Sequence, residues 1–168
     1  MANLFCASEV IEISIEARKK GMDFYKRIAK RTKSGEIKET FKWLASEEER
    51  HINILNQILG KIEKCQPFEL YPDEYSLYVQ ALLKRHTFND IKKKDFLKKI
   101  KTNADAIDTA TEYEKDSLLI LYEMKHFVRR AEIKVINRLI KSTQNDIYRL
   151  NNLKKCLTSK DLKTCLLK

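Results

Sequence analysis

The sequence predicts an all-α protein, a single four-helix bundle made of two helical hairpins. Composition is the first reason, because a chain of 168 residues with three glycines and two prolines carries few turn signals and is rich in helix formers. Periodicity is the second, since apolar residues recur at helical spacing along four long segments. The third is a similarity between the two halves of the chain. The length suits one domain, residues 1–168, with a sizeable core.

The first hairpin is predicted at about residues 8–64. Its first helix runs from about Ser8, a candidate N-cap, to Arg31. Its second helix runs from about Gly35 to Lys64. Apolar residues at helical spacing define the buried faces: Ile11, Ile15, Met22, Tyr25 and Ala29 on the first helix, and Ile37, Phe41, Leu44, Ile52, Leu55 and Leu59 on the second.

A long connection, at about residues 65–102, separates this hairpin from the next. It opens with a break that contains both prolines, and two short helices, LYVQALLKRH and KKKDFLKKI, are predicted within it. The second hairpin is predicted at about residues 103–156, with one helix beginning near Asn103 and the other running from near Val128 to about Cys156. A short Lys-rich tail follows.

The two hairpins resemble each other at nearly constant offsets. At an offset of 96, Ile11, Ile15, Met22 and Tyr25 fall on Ile107, Thr111, Leu118 and Leu121. At an offset of 95, Phe41, Leu44 and Leu55 fall on Ile136, Leu139 and Leu150. The long crossover lets the second hairpin pack beside the first, so the loops run short, long, short as in ferritin-like four-helix bundles.

Six polar residues interrupt the apolar faces, and the same offsets place them at one level of the predicted bundle: Arg18, Glu48, His51, Glu114, Thr143 and Asp146. Glu48 and His51 are three residues apart, so their side chains lie on one face of a helix. A buried carboxylate needs a partner, which is either a metal ion or another side chain.

Three stretches of the chain resemble rubrerythrin-like proteins of the ferritin superfamily. IEISIEARKKGMDFYKRIAKRTKSGEIKETFKWLASEEERHINIL resembles their first hairpin, EYSLYVQALLKRHTF their connection and AIDTATEYEKDSLLILYEMK their third helix. The resemblance covers nearly the whole chain. It implies a ferritin-like bundle that reduces peroxides or reacts with oxygen at two irons, held by one Glu from each of two helices and a Glu-x-x-His from each of the others.

The implied ligand set is only half present in this chain. Three positions carry the ligand that the resemblance implies: Glu48, His51 and Glu114. Arg18 stands where Glu is implied, and Thr143 and Asp146 stand where Glu and His are implied. Asp146 remains a weaker candidate ligand because it carries a carboxylate. No catalytic residue is assigned.

Charge counting limits the metal content of this layer. Glu48, Glu114 and Asp146 against Arg18 leave two negative charges, which one divalent ion balances and two exceed. We therefore expect at most one ion per chain, iron or manganese, or none, with Arg18 bridging Glu48 and Glu114 instead. Asp146 either binds an ion with Glu114 or caps the cluster with Arg18, and Thr143 is expected to bond a carbonyl of its own helix.

Two functions stay open at this point. In one, the protein is a metal-binding protein that is redox-active towards oxygen or peroxide. It would depend on a separate electron donor, because we expect no small iron-sulfur domain of the kind that full-length rubrerythrins have. In the other, it is a metal-free pseudo-enzyme, a structural or interaction module. We also expect a homodimer, because Ile54 and Ile58 lie off the main apolar stripe.

Net charge and cysteine content limit the expected partners, the location and the state of the thiols. The formal net charge is +10, but basic and acidic residues alternate without interleaved aromatic residues, so we expect no nucleic-acid partner. Only residues 84–101 are basic enough to remain a candidate binding surface for an anionic partner. Lacking a secretory signal and a membrane-spanning segment, the chain is expected to be cytoplasmic. Its four cysteines form no C-x-x-C pair and are expected to be free thiols.

Overall fold

The computed structural model describes residues 7–62, 77–78, 81–82, 96–126 and 128–158. All regular structure in these ranges is helical, as predicted. Five helices are defined: α1 (Ala7–Arg31), α2 (Gly35–Leu59), α3 (Phe96–Lys99), α4 (Asn103–Met124) and α5 (Arg130–Thr158). Residues 77–78 and 81–82, within the first predicted connection helix, are also helical. The remainder of that predicted helix, residues 79–80 and 83–86, lies outside the described residues.

The four long helices pair as the two hairpins predicted from sequence. The α1 helix packs along α2, and α4 packs along α5. The hairpins then meet through α1 against α4 and α2 against α5. The short α3 lies within the second predicted connection helix, and Arg31 Nη1 at the end of α1 donates a hydrogen bond to its Leu97 carbonyl at 3.0 Å.

Helix ends differ from the prediction at two places. The α1 helix already includes Ala7, so Ser8 lies inside the helix rather than at its N-cap. The α2 helix ends at Leu59 instead of continuing to Lys64, because Gly60 forms the C-cap and glycine is a poor helix former.

The start of α4 agrees with the prediction and has a clear local cause. The Thr102 side chain accepts a hydrogen bond from the Asp105 amide at 3.0 Å, and the Asp105 carboxylate accepts one from the Thr102 amide at 2.9 Å. This reciprocal capping box satisfies amides that the first turn of a helix leaves unpaired.

Two apolar clusters form the core, one on each side of a polar layer. The first contains Ile11, Ile15, Leu55, Leu121 and Ile136, and the second contains Phe24, Tyr25, Phe41, Ile107 and Leu150, each with further members. Arg18 lies on α1 between Ile15 of the first cluster and Phe24 of the second. The other long helices show the same succession, so each long helix contributes polar residues to one level of the bundle.

Three further expectations can be compared with the structure. Ile58 is only 2% exposed and belongs to the core, so it leaves no surface for a second copy, whereas Ile54 is partly buried against the same core; the homodimer stays a prediction. No helix among the described residues is long and apolar enough to cross a membrane. Cys156 is disulfide-bonded, so the expectation of free thiols is wrong for this residue.

Candidate functional site

The polar layer contains all six residues singled out in the sequence, and every one is buried. Their exposed fractions range from 0 to 2%: Arg18 2%, Glu48 0%, His51 0%, Glu114 0%, Thr143 0% and Asp146 1%. The α1 helix supplies Arg18, α2 supplies the Glu48–His51 pair, α4 supplies Glu114, and α5 supplies the other two. Buried charge of this density needs compensation, and the hydrogen bonds show where it comes from.

Arg18 is the centre of the hydrogen-bonded part of the layer. Its Nη1 atom lies 3.0 and 3.2 Å from the two Glu48 carboxylate oxygens and 2.8 Å from His51 Nδ1. One guanidinium nitrogen therefore contacts three acceptor atoms from two ligand-type side chains. The expected bridge from Arg18 to Glu114 does not form, and Tyr25 donates a hydrogen bond to Glu114 Oε1.

The charge states of this group follow from its contacts. Burial works to lower the pKa of Arg18, but the adjacent Glu48 carboxylate raises it, and the net result is a guanidinium that keeps its proton. Burial raises the pKa of Glu48, while Arg18 and a hydroxyl from Tyr113 oppose that shift by donating hydrogen bonds. Because both oxygens accept from Arg18, Glu48 is best described as a paired carboxylate.

The hydrogen bonds of its two ring nitrogens hold His51 as a neutral imidazole. Nδ1 accepts from Arg18, which has only donors, so the ring proton lies on Nε2. Nε2 donates to Ser142 Oγ at 3.0 Å, and that hydroxyl donates to Glu47 at 3.1 Å. Burial, then the charges of Arg18 and Arg50, lower the pKa of His51 to about 2. A hydrogen-bonded path thus leads from the layer to the half-exposed Arg50, which bonds Glu47 at 2.6 Å.

Two tyrosines donate to the two glutamates of the layer. Tyr113 Oη lies 2.8 Å from Glu48 Oε2, and Tyr25 Oη lies 2.6 Å from Glu114 Oε1. Their rings pack edge to face with centroids 5.9 Å apart. Sequence analysis placed Tyr25 on the apolar stripe and missed Tyr113. The signal for Tyr113 is Gly21 in the middle of α1, where an added Cβ would lie 2.5 Å from the Tyr113 ring.

The other side of the layer holds carboxyl groups without compensating cations. Among the residues that the structure describes, Glu114 Oε2, both Asp146 oxygens and Thr143 Oγ1 have no hydrogen-bond partner. Burial, then the negative charges of Glu48 and Asp146, raise the pKa of Glu114 well above its usual range. Burial, then the charges of Glu48 and Glu47, raise the pKa of Asp146 to about 7. A proton on each group is therefore the compensation that these residues can supply themselves.

Two expectations for α5 are wrong. Thr143 does not bond a carbonyl of its own helix, and Asp146 does not cap Arg18. The Arg18 hydrogen bonds within the described part of the layer go from Nη1 to Glu48 and His51, and Nη2 does not reach Asp146.

The residues of the layer do not fit a centre of two metal ions. Metal–nitrogen and metal–oxygen bonds are about 2.0 to 2.2 Å long, whereas Glu48 and His51 are spaced around an N–H donor at 2.8 to 3.2 Å. Within the described ranges, no three His, Cys, Asp or Glu side chains are arranged to hold a metal ion. Among the described residues of the layer, the carboxylate oxygens without a hydrogen-bond partner belong to Glu114 and Asp146.

Comparison with known proteins agrees with the helical architecture. The family model of rubrerythrin matches residues 9–145. Among solved structures, the chain is similar to a Thermotoga maritima protein described as ferritin-like and diiron-carboxylate, with 22% identity and a TM-score of 0.66. That similarity covers 92% of this chain and 97% of the other, so the ferritin-like fold predicted from sequence is confirmed. No curated protein sequence matches.

Proposed function

The chain belongs to the rubrerythrin family, and from that premise we propose that it is a member without di-iron chemistry, in which Arg18 takes the place of a metal ion. The observation that carries this proposal is Arg18 Nη1, which contacts Glu48 and His51 together at 2.8 to 3.2 Å. A permanent cation there neutralises the carboxylate and occupies the ring nitrogen. The protein would then act as a structural or interaction module rather than as an oxidoreductase.

Charge balance in the rest of the layer supports this function. The charges of Arg18 and Glu48 cancel each other, and the raised pKa values of Glu114 and Asp146 favour protonated carboxyl groups, which carry no charge and need no metal. Two divalent ions would instead place four positive charges beside a guanidinium that keeps its proton. The layer therefore accommodates at most one ion, and the pair formed by Arg18 accommodates none.

Retention of iron and consumption of peroxide test the proposal together. The protein is incubated anaerobically with excess Fe(II), freed of unbound iron by gel filtration, and then mixed with hydrogen peroxide. We expect fewer than two irons per chain and peroxide loss no faster than in the column buffer. Two retained irons with protein-dependent peroxide loss that disappears in Glu114→Gln would overturn the proposal.

A second candidate function rests on the unpaired oxygens of Glu114, Thr143 and Asp146. Carboxylate and hydroxyl oxygens suit hard cations such as Mn(II) and also bind Fe(II). One divalent ion balances the two negative charges that remain when both carboxyl groups are ionised. A single-ion protein of this kind would be redox-active towards oxygen or peroxide only with a separate electron donor.

Titration with Mn(II), followed by the electron paramagnetic resonance of free Mn(II), tests the single-ion function. This function predicts that the wild type binds one equivalent and that Asp146→Asn binds none. Asp108→Asn is a matched control, because Asp108 lies exposed on α4 and pairs with Lys154. Binding of Mn(II) that is equal in all three proteins would exclude this site.

A further inference from the structure

A small cavity with both polar and apolar lining residues lies between α1 and α4. Its volume is about 10 Å³. The lining residues come from these two helices: Ser14, Ala17, Arg18, Ser117, Ile120 and Leu121. Ser14 lies one helical turn from Arg18 on α1, so a hydroxyl and a guanidinium share one wall.

Two polar atoms of this wall are buried and lack partners. Within the described part of the chain, Ser14 Oγ and Arg18 Nη2 each make no hydrogen bond, although their residues are 4% and 2% exposed. Arg18 lines the cavity and directs Nη1 to Glu48 and His51, so Nη2 is the guanidinium donor that remains for a ligand there. Buried donors and acceptors of this kind are nearly always satisfied by protein or by ordered water.

We propose that this cavity binds one water molecule, which accepts a hydrogen bond from Arg18 Nη2 and bonds the hydroxyls of Ser14 and Ser117. The volume matches the requirement for a single water, about 10 to 15 Å³, and three polar partners is the usual number for a buried water. The inference rests on the proposed function only in taking Arg18 as the resident cation of the layer.

The charge of the layer decides between water and a small anion. Glu48 already neutralises Arg18. Glu114 and Asp146 lie close enough to Arg18 for their charges to interact with it. An anion in the cavity would add a second negative charge beside one cation in a region of low dielectric, and a neutral ligand avoids that repulsion. The site is therefore a water site and not a halide site.

The bound water gives Ser14 and Ser117 a positioning role. It holds Nη2 on the α4 side of the cavity while Nη1 stays on Glu48 and His51. Without the water, a rotation that pairs both guanidinium nitrogens with the Glu48 carboxylate would be favourable. The contact with His51 would then be lost.

A crystal structure from crystals soaked in sodium bromide tests the identity of the ligand. We expect a density peak within hydrogen-bond distance of Arg18 Nη2 and Ser14 Oγ, with no anomalous signal from bromide. An anomalous peak in the cavity would overturn the proposal. A structure in which Nη2 bonds a protein group directly would overturn it as well, while leaving the proposed function intact.

A double-mutant cycle tests whether the water serves Arg18. Ser14→Val fills the cavity with methyl groups, and we expect it to lower the folding equilibrium constant about tenfold or more, because Nη2 loses its partner. In the Arg18→Met/Glu48→Gln background, which removes both charges, Ser14→Val should lower the folding equilibrium constant less than about threefold. Ser46→Val, at an exposed position on α2, controls for helix propensity.

Equal losses in both backgrounds would overturn the proposal. The proposed function is tested by a different measurement, the metal content. A wild type that binds two irons contradicts the proposed function whatever the double-mutant cycle shows.

Discussion

Arg18 Nη1 lies 2.8 Å from His51 Nδ1, so a guanidinium donates to the ring nitrogen that the Glu-x-x-His spacing would offer to a metal. The same nitrogen contacts both oxygens of Glu48, at 3.0 and 3.2 Å. The carboxylate and the imidazole thus surround a cation, as metal ligands do, at distances that suit an N–H donor. In the proposed function, the chain itself supplies the cation of this layer.

The tautomer of His51 is the first testable consequence. Its pKa is lowered to about 2, mainly by burial, and Nδ1 accepts from Arg18. We expect a neutral ring with the proton on Nε2 at every pH from 5 to 8. Long-range proton–nitrogen correlation NMR measures this directly. Titration of the His51 ring near pH 6.5, or a proton on Nδ1, would contradict the assigned contact.

Removing the guanidinium should destabilise the protein. Arg18→Met leaves Glu48 buried with only the Tyr113 hydroxyl, and an unpaired buried charge costs about 3 to 5 kcal/mol. We expect the free energy of unfolding at pH 7, measured by urea denaturation, to fall by about that amount. Adding Glu48→Gln should recover most of the loss, because both charges are then gone. A cost below about 1 kcal/mol in the single variant would show that Glu48 is not a paired carboxylate.

Gly21 is expected to be required for the Tyr113–Glu48 hydrogen bond. In Gly21→Ala, the new Cβ would meet the Tyr113 ring at 2.5 Å, so the ring must move away from Glu48. Helix propensity favours alanine by about 1 kcal/mol, but overpacking of this kind costs about 1 to 3 kcal/mol, and a buried hydrogen bond is lost as well. We expect net destabilisation in urea.

Gly35→Ala is the control for that experiment, because nothing lies within 4 Å of a Cβ added at Gly35. A Gly21→Ala variant that is as stable as the wild type or more stable would show that Tyr113 is not held in place by this contact.

Asp146 should make stability depend on pH. Its pKa is about 7 in the folded protein, against 3.8 as the ordinary value, so the folded state binds its proton more tightly than the unfolded state does. The stability from this group is complete below about pH 4 and is lost as the pH rises to about 7, by up to about 4 kcal/mol.

Comparison with Asp146→Asn isolates that effect. His51, whose lowered pKa acts in the opposite direction below about pH 6.5, is present in both proteins. We expect the unfolding free energy of the variant to rise relative to the wild type between pH 4 and 7 and to stay level above that. Parallel pH profiles would contradict the raised pKa of Asp146.

The fold and the polar layer could be predicted from the sequence because both depend on the periodic spacing of apolar and polar residues. The offsets that pair Phe41 with Ile136 and Leu44 with Leu139 identify four residues that are all fully buried. Arg18 and Glu48 are about equally far from the short turn that joins α1 to α2, so the constant rise of antiparallel helices places them on the same level.

The hydrogen-bond partners were harder to predict, because they depend on side-chain rotamers across helices. Arg18 is long enough to reach either glutamate, and the sequence does not show that a Tyr25 hydroxyl already occupies Glu114. Ser142 belongs to the site only because it faces His51 from α5. Gly21 is the exception, since glycine inside a helix signals that another group approaches closely.

The metal content of the wild type beside that of Arg18→Glu tests the central claim most directly. Both proteins are purified without chelator from cells supplied with iron and manganese, and bound metal per chain is measured by mass spectrometry. With every carboxyl group ionised, as metal binding requires, Arg18→Glu changes the layer from two net negative charges to four, which two divalent ions balance. We predict at most one ion per chain in the wild type and more in the variant. Two tightly bound irons in the wild type would contradict the account and make His51 an ordinary di-iron ligand.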